Sequence, residues 1–88
     1  MGTFIGGSAY AMSRDIAEGY ILLSPNYLKK FTSYEMMALQ SELEKLQRET
    51  RAEQPPLDDI DAIKKRNRRI QRVSAALMTI KNVLQSRR

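Results

Sequence analysis

Gln54-Pro55-Pro56 interrupts the chain between two long stretches that both carry the residue spacing of an amphipathic helix. Each proline removes a backbone donor and keeps the residue before it out of the helical region, so no helix continues through this point. Upstream, Met36, Leu39, Leu43 and Leu46 step by three, four and three, which lays them on one stripe. Downstream, Ile60, Ile63, Asn67, Ile70, Val73, Leu77, Ile80 and Leu84 recur at an average step of about three and a half. Two such stripes joined by a short proline turn predict an all-α fold, an antiparallel two-helix hairpin with helices over about residues 33–53 and 59–85.

The helix ends are written locally. Thr32 can accept from the Glu35 amide while the Glu35 carboxylate reaches back to the Thr32 amide, and Phe31 can close over Met36 as a hydrophobic staple. Leu57-Asp58-Asp59-Ile60-Asp61 offers the second helix an aspartate cap and negative charge for its first turn. Before the hairpin, Ala9 to Glu18 reads as a short helix with Met12 and Ile16 on one face and Gly19 placed to end it. Tyr20-Ile21-Leu22-Leu23 reads as a buried strand or extended arm. Ser24-Pro25 then opens a brief helical segment through Phe31. Residues 1–8 hold three of the four glycines and read as a flexible lead-in, residues 9–31 as an arm with short helical segments, and residues 32–88 as the hairpin.

Composition narrows the chemistry. Among 88 residues there is no cysteine and no histidine, which removes disulfides, thiolate nucleophiles, the usual zinc ligands and the usual general base near neutral pH. Gly6-Gly7-Ser8 lacks the lysine and the spacing of a phosphate-binding loop. No pair of carboxylates is forced together, so the sequence nominates no catalytic residue, cofactor, metal or small-molecule substrate, and the chain is expected not to be an enzyme. Its longest apolar runs fall far short of the roughly 18 residues that span a bilayer. The first residues lack the basic region of a secretory signal, and Gly6 stands where myristoylation wants Ser or Thr, so a cytoplasmic location is expected.

A chain this short buries little of its surface, and two stripes alone do not offset the entropy of ordering two long helices. Something must cover them: the apolar arm from Tyr20 to Leu28, a second copy, or a different protein. The expectation is a bundle completed by self-association, with seam residues Met36, Leu39, Leu43, Leu46, Ile63, Asn67, Ile70, Val73, Leu77, Ile80 and Leu84. Asn67 is read as a polar seam residue that fixes register. Facing residue numbers are expected to sum to about 112, which sets Arg66 opposite Leu46, with Glu42 and Glu49 as ion-pair candidates. The exposed side of Met37 is available to the arm or another subunit.

Charge is distributed unevenly. Residues 62–88 carry nine cations and no acid, whereas residues 33–53 carry five glutamates against three cations. Turning 100° per residue from Ile70, Lys64, Lys65, Arg68, Arg69 and Arg72 fall between about 100° and 200° away, on the outer face. Like charges at Lys64/Arg68, Lys65/Arg69 and Arg68/Arg72 repel across one helical turn, each by about 0.2 to 0.5 kcal/mol, which calls for an anionic counterpart.

These features describe a non-catalytic helical interaction or regulatory module, an adaptor whose basic ridge of Lys64, Lys65, Arg68, Arg69 and Arg72 docks an acidic partner protein, as a homodimer or with a heteromeric partner. The alternative is a nucleic-acid-binding regulator that sets the arginine-rich helix against phosphates, with Asn67 or Gln71 at a base edge. Against it, the run has no aromatic residue for base stacking.

Overall fold

The computed structural model describes residues 8–87, so the glycine-rich stretch through Gly7 lies outside the described residues. Four helices follow in order: α1 (Ala9–Ala17), α2 (Pro25–Leu28), α3 (Ser33–Ala52) and α4 (Ile60–Ser86), with no strand among the described residues. Helices α3 and α4 form the antiparallel hairpin, and α1 packs against both. The assembly measures 46 × 24 × 19 Å.

Each helix begins where a side chain takes over an orphan amide. Ser8 Oγ accepts from the Ala11 amide at 3.1 Å, and Ser24 Oγ from the Tyr27 amide at 3.2 Å. At α3 the capping box is complete, with Glu35 N to Thr32 Oγ1 at 3.0 Å and Thr32 N to Glu35 Oε1 at 2.9 Å. Asp59 caps α4 through the Ala62 amide at 3.1 Å. The cap at Ser8 joins that residue to α1. Helix α2 is one turn long, stopping at Leu28 short of the expected Phe31.

Helix α1 ends at a left-handed residue. Gly19 has φ +85°, its amide donates to Ile16 O at 3.1 Å, and the Tyr20 amide donates to Asp15 O at 2.9 Å. This pair of reverse bonds satisfies the last carbonyls and turns the chain back along the bundle. The residues that follow are extended and alternate in exposure: Leu23 is buried and Ile21 half-buried, while Tyr20 and Leu22 face solvent. The expected buried run is therefore two-sided, because an extended backbone points successive side chains in opposite directions.

The arm completes the core. Met12, Ile16, Ala17, Leu23, Leu28 and Phe31 pack in one cluster with Met36, Leu39, Leu43 and Leu46 of α3 and Val73, Ala76, Leu77 and Ile80 of α4. Of the three coverings open to the stripes, the chain's own arm is the one this structure contains. The two buried polar side chains answer to their own helices, Ser13 Oγ to Tyr10 O at 2.7 Å and Thr50 Oγ1 to Leu46 O at 2.8 Å.

The seam differs from the expected list at its α4 end. Ile63, Ile70 and Leu84 are half-buried, Ile60 is 61% exposed and Asn67 faces solvent. For the residues from Ile60 to Ile70 the reason is geometric, since the core shared with the arm takes its α4 residues from Val73 onward and α3 stops at Ala52, whereas Leu84 packs at the edge of that core. The hairpin register also shifts. Gln47 Nε2 donates to Ser74 Oγ at 2.9 Å and Arg66 Nε to Glu53 O at 2.8 Å, so facing numbers sum to about 120 rather than 112. The connection is longer than a tight turn because Glu53 to Asp58 all lie outside helix.

Candidate protein-docking surface on the outer face of α4

The cationic run divides into residues that hold the fold and residues that do not. Arg66 does not meet Glu42 or Glu49. Its Nε donates to Glu53 O at 2.8 Å and its Nη2 to Arg51 O at 2.9 Å, closing the C-terminal end of α3 with a positive charge. Its Nη1 donates to Asn67 Oδ1 at 3.2 Å, where Asn67 is exposed rather than in the seam. Glu49 instead meets Arg14 at 3.5 Å, and Glu42 meets Lys45 at 3.9 Å.

Arg69 joins three segments. Its Nε lies 3.2 Å from Glu18 Oε2 at the end of α1 and its Nη1 lies 3.5 Å from Glu53 Oε2 after α3. Arg72 Nη1 donates to Ala17 O at 3.1 Å, at the negative end of α1. The Arg72 guanidinium also lies over Gly19, where a Cβ would stand 2.9 Å from its Cζ. A side chain at position 19 is thus opposed by the backbone angle, and the Arg72 guanidinium would have to shift to admit it. At the far end, Arg87 repeats the device, donating to Phe31 O at 2.7 Å and Leu28 O at 3.1 Å.

Lys64, Lys65 and Arg68 have no such duty. All three are exposed, and none makes a hydrogen bond or ion pair among the described residues. The like-charge repulsion read from the sequence is answered for half of the run by carbonyls and glutamates of the same chain. The other half remains open to water.

Two depressions flank this helix face. A polar hollow of about 200 Å³ is lined by Glu18, Lys65, Arg68, Arg69 and Arg72. Beside it runs an apolar groove of about 330 Å³ between the extended segment and α4, bounded by Gly19, Ile21, Leu22, Ala75 and Thr79. Arg72 lines both, so the two adjoin at its side chain. Leu22 is 91% exposed on the groove's rim, and Met78 is exposed on α4.

Sequence reasoning reached the five ridge cations and Gly19 as the end of α1, but missed the groove, the approach of Arg72 to Gly19, and the roles of Leu22 and Arg87. Nothing local announced which way Leu22 would point. Comparison of the chain with protein-family models, with curated proteins and with solved structures finds no match. Among the described residues no helix is long and apolar enough to cross a membrane, and no group of three or more His, Cys, Asp or Glu is placed to hold a metal ion.

Proposed function

We propose that this chain is a non-catalytic interaction module, an adaptor or regulator working in the cytoplasm, that docks an acidic protein segment on the outer face of α4. The observation that carries the reading is the meeting at Arg72 of an apolar groove with a hollow rimmed by Lys65 and Arg68, which form no ion pair among the described residues. An apolar anchor in the groove would supply affinity, and carboxylates one or two turns toward the start of α4 would meet Lys65, Arg68 and, at its edge, Lys64. Arg69 and Arg72, both engaged at the end of α1, shape the hollow and add to its potential.

The nucleic-acid alternative has less to work with, because Arg66, Arg69 and Arg72 are engaged by the fold and, of the cations from Lys64 to Arg72, only Lys64, Lys65 and Arg68 are without a partner among the described residues. One titration separates the two. Fluorescence anisotropy with an Asp/Glu-rich peptide bearing Leu and Ile anchors should show binding that falls at least tenfold when Lys64, Lys65 and Arg68 become alanine. Random duplex DNA bound more tightly at physiological salt, with a steep salt slope that flattens in the same variant, would transfer the surface to nucleic acid. Binding of neither would remove both.

A further inference from the structure

The chain itself displays the kind of segment that this surface calls for. At the hairpin turn, Leu57 is 93% exposed and Ile60 is 61% exposed, flanked by Asp58, Asp59 and Asp61. Two large apolar side chains set among three carboxylates are poorly placed for a turn that faces only water. The turn is also stiff, since two prolines precede it and the Asp59 amide donates to Pro56 O at 3.0 Å. An anchor held in place beforehand loses little entropy on binding.

We propose that the acidic segment docked on α4 is supplied by a second copy of this chain, with Leu57 and Ile60 entering the groove beside Ile21, Leu22 and Ala75 and with Asp58 and Asp61 facing Lys65 and Arg68. This rests on the docking reading above and names the partner. The pairing is possible only between copies, because α4 is one straight element that holds Ile60 and Ala75 about 22 Å apart at 1.5 Å per residue. A two-fold arrangement lets each turn fill the other copy's groove, which doubles a small contact and closes the assembly. The acid cap of α4 is untouched, since Asp59 stays on the Ala62 amide.

Charge exchange tests this. The full chain, its Lys65→Glu/Arg68→Glu variant and its Asp58→Lys/Asp61→Lys variant would be compared by sedimentation velocity from micromolar to millimolar concentration, with circular dichroism to verify that each is helical. The native chain should dimerise, and each variant alone should dimerise at least tenfold more weakly. An equimolar mixture of the two variants should dimerise again, because each ridge then meets a turn of opposite sign. Leu57→Ser/Ile60→Ser, which alters only exposed side chains, should weaken the native dimer as strongly. A native chain that stays monomeric at millimolar concentration, variants that dimerise undiminished, or a mixture that stays monomeric would each overturn the proposal. The docking reading is judged separately, since Asp58→Lys/Asp61→Lys keeps its ridge and groove and must still bind the acidic peptide if that reading holds.

Discussion

The two halves of α4 carry the same apolar spacing and have opposite fates. From Val73 to Ile80 the helix contributes four side chains to the core, while from Ile60 to Ile70 it contributes none that is fully buried. The difference lies across the interface. The later half shares its core with α3, α1, the extended segment and α2, whereas the earlier half lies beside the end of α3 and reaches α1 through the Arg69 ion pair with Glu18. A stripe specifies which side of a helix can be buried, and the neighbours decide how much of it is.

Matched substitutions on this one helix would break or sharpen that contrast. Ile80→Ala should lower the free energy of unfolding in urea by about 2 to 5 kcal/mol, because Ile80 is fully enclosed. Ile63→Ala, the same chemical change at a half-buried site, should cost about 1 kcal/mol or less. Equal losses would mean that the earlier half is covered in solution. Next in size is the turn after α1 that meets Arg72, where Gly19→Ala should destabilise by about 1 to 2 kcal/mol through the left-handed angle. Smallest are the cations of the earlier half. Arg66→Ala should cost about 1 kcal/mol by uncapping α3, while Lys64→Ala should stay within about 0.5 kcal/mol of the parent in the same melts.

Much of the hairpin was legible because its signals are local. The double proline, the Thr32/Glu35 box and the Asp59 cap act within a few residues of themselves, and the helix bounds followed to within a residue or so. Register was not legible, since it depends on how many residues the connection consumes, and Glu53 to Asp58 proved longer than a tight turn. Nor could the sequence divide the five ridge cations. Helical angle set Arg66 apart from the ridge, but Arg69 and Arg72 differ from Lys64, Lys65 and Arg68 only in what lies opposite them, and the partner of Arg72 is a carbonyl oxygen, which every residue possesses and no pattern marks. The arm was the hardest part, because a short apolar run does not reveal its sidedness until something packs on one face.

The shared core has a consequence for how the molecule opens. With six of its fourteen side chains drawn from before Thr32, the arm cannot peel away and leave a stable hairpin behind. Amide exchange from α1 and from the middle of α3 should therefore report a single collective opening, and only the first turns of α4 should exchange by fraying on their own.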